Sequence, residues 1–173
     1  MGLRPAKTFR DGNRVAWARF SRRRPRKSFV KSMPHNALNI YVMGEPKAGY
    51  EVVSELVASC AVQVRDNALE SARQAVNKHL EKALPGNYHF KVLVFPHNVI
   101  RENKMIAGAG ADRLQSGMAH PYGRPTERGA RVKEGQKIFS VATQAKDVEQ
   151  AKEAFRRAKS KLSGQWRVEF REA

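Results

Sequence analysis

Between Pro96 and Gly129 the chain runs for thirty-four residues with no convincing helical or strand period, while the sequence on either side is regularly patterned. A compact domain rarely carries an unstructured connection of that length, and such a segment is usually functional or disordered. Composition argues against disorder. Gly108, Gly110, Gly117, Pro121, Gly123, Pro125 and Gly129 bend or free the backbone, but Met105, Ile106, Leu114, Met118 and Tyr122 stand among them. Arg101, Lys104, Arg113, Arg124 and Arg128 are spaced through the same stretch. A glycine-freed backbone with interleaved basic and apolar side chains suits an irregular polyanion such as folded RNA. The simpler reading is a mobile surface insertion.

Charge sharpens that choice. The net charge is +17, and its placement says more than its size. Residues 1–31 carry a net of +10, residues 32–95 a net of zero, residues 96–133 a net of +4 and residues 134–173 a net of +3. A nearly neutral scaffold therefore holds its positive charge on an arm, a loop and a late helix, which points to an anionic partner much larger than a metabolite. No small-molecule substrate is expected. Nucleic acid and an anionic membrane compete for the role. No apolar run approaches the roughly 20 residues a spanning helix needs, and no apolar stretch follows the N-terminal charges as in a signal peptide. Cys60 is the only cysteine, which excludes an internal disulfide framework and fits a reducing cytoplasm. Nucleic acid is the stronger reading, with no membrane partner.

At 173 residues the chain is long enough for one domain and short for two. Residues 1–31 read as a basic arm, residues 32–95 and 130–173 as the scaffold, and residues 96–129 as the long loop. The run Arg22-Arg23-Arg24-Pro25-Arg26-Lys27 repels itself in isolation, so the arm is expected to order only on its partner. Trp17, Phe20 and Phe29 lie among those charges; they either stack on bases or dock the arm onto the domain. Leu38 to Val42 alternates as a strand closed by Gly44, and Tyr50 to Ala61 reads as a second, longer one. Asp66 is the expected N-cap of a helix to about Ala83, its stripe carried by Leu69, Ala72, Val76, Leu80 and Ala83. Tyr88 to Phe95 alternates as a strand. After the loop, Ala130 to Val132 and Gln136 to Ala142 read as two more. Asp147 to Leu162 has the clearest helical stripe, with Asp147 and Gln150 resembling a capping box. Trp166, Val168 and Phe170 alternate as a final strand.

Catalytic chemistry is missing from this pattern. His35, His79, His89, His97 and His120 form no pair with metal-ligand spacing, so no metal is expected. Gly108-Ala109-Gly110 lacks the third glycine and the following apolar helix of a dinucleotide loop. No serine sits in a nucleophile elbow, and Cys60 has no electropositive neighbour in sequence. The reading is a protein that is not an enzyme and uses no cofactor.

Several stretches together carry a resemblance. They are Met1-Gly2-Leu3-Arg4-Pro5-Ala6-Lys7, Arg65-Asp66-Asn67-Ala68-Leu69-Glu70 and Phe95-Pro96-His97-Asn98-Val99-Ile100-Arg101-Glu102-Asn103-Lys104. Ala107-Gly108-Ala109-Gly110-Ala111-Asp112-Arg113, Gly117-Met118, Ala130-Arg131-Val132 and Glu153-Ala154-Phe155-Arg156-Arg157-Ala158-Lys159 continue it. The chain resembles the large-subunit ribosomal proteins of the universal sixteen family, in their archaeal and eukaryotic form. Its end at residue 173 reads as the archaeal form. Ala119-His120-Pro121 follows Met118 where many members carry a basic residue.

The resemblance implies an α+β fold, a mixed or antiparallel sheet with two helices packed on one face. It implies a structural component of the large subunit, cytoplasmic and in the ribosome. Its partners would be large-subunit rRNA, neighbouring large-subunit proteins, and transfer RNA in the aminoacyl and peptidyl sites. The loop would reach towards the peptidyl transferase centre, with Arg101, Asn103, Lys104 and Arg113 as its contact residues. Arg124, Arg128 and Arg131 extend the expected RNA-binding set along the chain. Arg4, Lys7, Arg10, Arg22, Arg23, Arg24, Arg26 and Lys27 supply the arm, and Arg156 and Lys159 the last helix. The alternative is an architectural protein that coats nucleic acid outside the ribosome. Such a protein needs a basic surface but no defined string of Gly, Met, Asp and Arg through residues 101–118.

Overall fold

The computed structural model describes residues 3–11, 30, 32–47 and 49–172. Arg22, Arg23, Arg24, Arg26, Lys27, Trp17, Phe20 and Phe29 lie outside the described residues.

The described strands form two antiparallel sheets. The larger runs in the order β1 (Val42–Gly44), β4 (His89–Val92), β7 (Lys137–Thr143), β2 (Val52–Ala58), β8 (Trp166–Glu172). The smaller runs β3 (Val62–Arg65), β6 (Arg124–Val132), β5 (Asn98–Glu102). Every pairing is antiparallel, so the α+β class holds and the sheet is divided in two.

The division corrects one expected strand. Tyr50 to Ala61 reads as a single strand, but the chain leaves the larger sheet after Ala58 and joins the smaller one at Val62. A register shift between Leu56 and Val57 precedes the exit. The Ser59 amide donates to the Gln165 carbonyl at 2.9 Å across the gap. Leu56, Val57, Ala58, Val62 and Val64 are all buried, so no alternation marks the break. At the other edge, the ladder-bonded strand is Val42–Gly44, which shares only Val42 with the expected Leu38 to Val42 strand. Leu38 instead turns into the core, its carbonyl accepting from Asn36 Nδ2 at 2.6 Å and the Tyr41 hydroxyl at 3.1 Å.

Helix α1 (Asp66–Ala83) covers the predicted span and buries Leu69, Ala72, Val76 and Leu80. The cap position belongs to Arg65, and no side chain caps the helix. Asp66 sits one residue further in and is buried. Its carboxylate accepts from the Ala37 and Asn67 amides, each at 2.9 Å, tying the segment ahead of β1 to the helix start. A carboxylate there also complements the positive end of the helix dipole. A short α2 (Ala111–Leu114) lies in the loop. Helix α3 (Val148–Lys159) is entered through a 3-10 turn, Ala145–Asp147, and Asp147 makes no capping bond, so the expected capping box is absent.

Helix α3 packs on β2, β7 and β8, while α1 leans on α3 and on β3 and β6 of the smaller sheet. One core results. Leu56, Phe90 and Phe139 from the larger sheet meet Val64 and Val132 from the smaller, with Leu69, Val76 and Phe155 from the helices. Phe90 and Phe139 cross edge to face at 5.4 Å, the arrangement aromatic quadrupoles favour.

Candidate nucleic-acid interface

Strands β5 and β6 form a hairpin, so the stretch from Pro96 to Gly129 is not structureless: only residues 103–123 form its irregular tip. Sequence periodicity misses the hairpin for a local reason. The register shifts between Ile100 and Arg101, pairing Ile100 with Glu127 but Arg101 with Pro125. Thr126 is the extra residue, and its hydroxyl donates to the Ile100 carbonyl at 3.2 Å. A proline beside a bulge loses no ladder bond, yet in the sequence it reads as a strand breaker. Gly123 closes the neck with φ +73°, and a Cβ there would lie 2.7 Å from the Glu102 carbonyl carbon. Only glycine fits that approach.

Arg101 lies on β5, within the stretch that reads in the sequence as irregular. Its Nη1 donates to the Tyr122 carbonyl at 2.7 Å, and its guanidinium stacks 4.4 Å over the Tyr122 ring. The Arg101 carbonyl in turn accepts from Arg4 Nη2 at 3.2 Å. Arg101 therefore braces the returning limb, beside a shallow depression of about 410 Å³ lined by Ala119, His120, Pro121 and Tyr122. Asn103 is also a brace, its Nδ2 donating to the Gly117 carbonyl at 3.1 Å.

Gln115 is the site residue that sequence reasoning misses. Its amide bridges the tip, Nε2 donating to the Lys104 carbonyl at 2.8 Å and Oε1 accepting from the Ile106 amide at 2.8 Å. A lone glutamine among glycines offers no sequence signal for that role.

Around these braces the tip presents exposed Lys104 and Arg113 together with apolar side chains. Met105, Ile106, Leu114 and Met118 are exposed by 61, 49, 75 and 57%. A cleft of about 570 Å³ runs between the limbs, lined by Lys104, Ile106, Leu114 and Arg124 among others. Arg124 and Arg131 are exposed on β6, whereas Arg128 is half-buried, its Nε donating to the Pro34 carbonyl at 2.7 Å.

The described start of the arm does not wait for a partner. Phe9 is 2% exposed, packed under the Arg65 guanidinium at 4.8 Å from its ring centre. The Gln63 amide donates to the Arg10 carbonyl at 2.7 Å, and Asp11 bridges to Val62. These bonds lay residues 3–11 along β3, beside the hairpin root. Lys7 and Arg10 remain exposed there, and Arg4 is half-buried. Arg65 is further fixed by Glu127 at 3.2 Å. Arg156 and Lys159 are not brought to the hairpin; they lie on α3, with Arg156 Nε donating to Glu153 at 2.6 Å. Among the described residues, no group of His, Cys, Asp and Glu is gathered to hold a metal ion.

The fold and surface define an α+β scaffold protein that projects a braced, basic hairpin. The family model for ribosomal protein L16p/L10e matches residues 18–169. The large ribosomal subunit protein uL16 of Thermofilum pendens is 42% identical over 94% of this chain and 93% of its own length. That of Archaeoglobus fulgidus is 44% identical over 84% of each, and that of Staphylothermus marinus 40% identical over 99% of this chain and 95% of its own. The chain belongs to the ribosomal protein L16p/L10e family, in its archaeal form. Its relatives are ribosomal structural proteins, and the reading of a protein that is not an enzyme agrees with them.

Proposed function

We propose that this protein is a structural constituent of the large ribosomal subunit that binds rRNA through the hairpin and the basic arm. The observation that carries the reading is the tip of the β5–β6 hairpin. It displays four large apolar side chains exposed by about half or more, interleaved with Lys104 and Arg113, on a backbone pinned by Gln115 and Asn103. An isolated chain gains nothing from exposing such a patch, whereas a folded RNA offers bases and sugars to the apolar groups and phosphates to the cations. Lys7, Arg10, Lys104, Arg113, Arg124 and Arg131 reach phosphates directly. Arg4, Arg101, Asn103 and Arg128 hold the surface in shape. Arg22, Arg23, Arg24, Arg26 and Lys27 extend the contact along the arm. The tip faces the peptidyl transferase centre and the body lies beside the aminoacyl-site transfer RNA, with neighbouring large-subunit proteins around it. On this reading the protein works in cytoplasmic ribosomes.

The test is the affinity of the full chain for large-subunit rRNA as salt is raised. With 6–10 phosphate contacts, affinity falls by about 10³–10⁵ between roughly 50 and 200 mM salt. An affinity that is flat across that range contradicts an electrostatic rRNA-binding surface.

A further inference from the structure

A second basic surface lies away from the hairpin, where the C-terminal parts of α1 and α3 run side by side. The groove between them has a volume of about 550 Å³. Lys78 and Lys82 stand on the α1 wall, and Arg156, Arg157 and Lys161 on the α3 side, with Ala75 and Ser160 as small residues between them. The acid bonded to this wall is Glu153, which is taken up by Arg156 at 2.6 Å and Arg157 at 2.9 Å. Lys78, Lys82 and Lys161 are exposed and have no acidic partner among the described residues.

Two features exceed what the fold needs. Lys78 and Lys82 are four apart on α1, and like charges at that spacing repel, while Lys161 adds a further cation just past the end of α3. Complementing the helix dipoles accounts for Lys82 and Arg157 in the last turns, but not for Lys78, a turn earlier. His79 also lines the groove, and its Nε2 is buried with no hydrogen-bond partner. A buried polar atom without a partner is rare and calls for an ordered water.

We propose that the groove between α1 and α3 is a second RNA-binding site, which takes the phosphates of one backbone segment between Lys78 and Lys82 on one wall and Arg157 and Lys161 on the other. His79 lines the same groove, but its Nε2 is closed off from solvent, so the phosphates are held by the cations alone. Two opposed rows of cations match the repeated charge of a nucleic-acid backbone. The groove has no Phe, Tyr or Trp among its lining to serve as a stacking platform, so it positions the RNA and reads no sequence. Nor does that lining offer an apolar anchor of the kind a protein partner or a membrane surface would use. The inference rests on the rRNA-binding reading above and adds a second site that shares no residue with the hairpin tip.

Lysine acetylation of the full-length protein, read residue by residue by mass spectrometry with and without large-subunit rRNA, tests the site. RNA should protect Lys78, Lys82 and Lys161 several-fold. The variant Lys78→Gln/Lys82→Gln/Lys161→Gln replaces only exposed side chains, so its melting temperature should match the parent. Its salt slope for RNA should fall by about two to three, since each phosphate-binding lysine accounts for about one. Unprotected lysines, or an unchanged slope, in a protein that still binds RNA steeply would overturn the groove and leave the hairpin reading intact. A parent protein that does not bind rRNA would overturn both. If polyglutamate protects the three lysines and RNA does not, the groove serves an acidic protein and the proposal is wrong.

Discussion

Arg101 shows how a basic residue in a basic loop can serve the fold first. Its guanidinium bonds the Tyr122 carbonyl at 2.7 Å and covers the same residue's ring at 4.4 Å, a pairing that needs a planar fork. Arg101→Ser should therefore free the 119–122 limb while costing the whole fold only about 1–2 kcal/mol. Amide exchange should accelerate across residues 119–122 and rRNA affinity should drop. Arg101→Lys should restore charge without restoring protection. Equal protection in the lysine variant would show that charge alone matters there. Gly123 makes a companion test. At φ +73° with backbone atoms 2.7 Å from any Cβ, Gly123→Ala should cost about 1–3 kcal/mol by urea unfolding, with the loss centred on the β5–β6 neck. A neutral outcome would mean the neck has another backbone path.

For helices and strands, legibility in the sequence follows burial. Helix α1 is legible because Leu69, Ala72, Val76 and Leu80 keep their spacing on one buried face while the other meets water. Strands β2 and β3 merge in the sequence because most of their residues are buried, the polar Ser54, Glu55 and Gln63 included, so no apolar–polar alternation marks where one ends and the other begins. The hairpin is hidden by Pro125, Gly129 and the bulge at Thr126, each of which reads locally as loop. The braces of the site are invisible for a different reason. Gln115 to Lys104 and Arg101 to Tyr122 are contacts between the two limbs, set by how the tip folds back and by no spacing along the chain. The hairpin also sets the local dynamics. Ladder amides of β5 and β6 and the Gln63 amide bonded to Arg10 should resist exchange in the free protein, while tip amides outside the Gln115 and Asn103 contacts exchange quickly. Uniformly fast exchange from residue 98 to residue 129 would refute the hairpin.

Across the whole molecule, charge sets both stability and partner. Within the scaffold, acids are engaged by cations: Glu70 by Arg73, and Glu153 by Arg156 and Arg157. The hydrogen bonds from Arg73 hold the Glu70 carboxyl below its ordinary value of 4.5, and those from Arg156 and Arg157 hold Glu153 at about 2. A depressed carboxylate stabilises fully above its unfolded value, and that contribution is lost as pH falls through the folded one. Stability should therefore decline below about pH 4.5. Glu70→Gln should lower stability at pH 7 by about 1–3 kcal/mol and flatten the acid decline. An unchanged acid limb in that variant would mean the Glu70–Arg73 pair contributes nothing. Glu153, about a third exposed on α3, is partly screened by solvent and should matter less.

The positive charge has no such internal answer. With a net of +17, most of it on the arm, the hairpin region and the last helix, the protein repels itself until a polyanion neutralises it. The decisive measurement is sedimentation of the protein with purified archaeal large ribosomal subunits lacking their own copy, followed by a high-salt wash. Stoichiometric retention through the wash is expected, with retention abolished when residues 103–123 are replaced by a two-residue turn between Glu102 and Arg124. Release of the intact protein by the wash, or retention undiminished by removal of the tip, would contradict a hairpin that anchors the protein on rRNA.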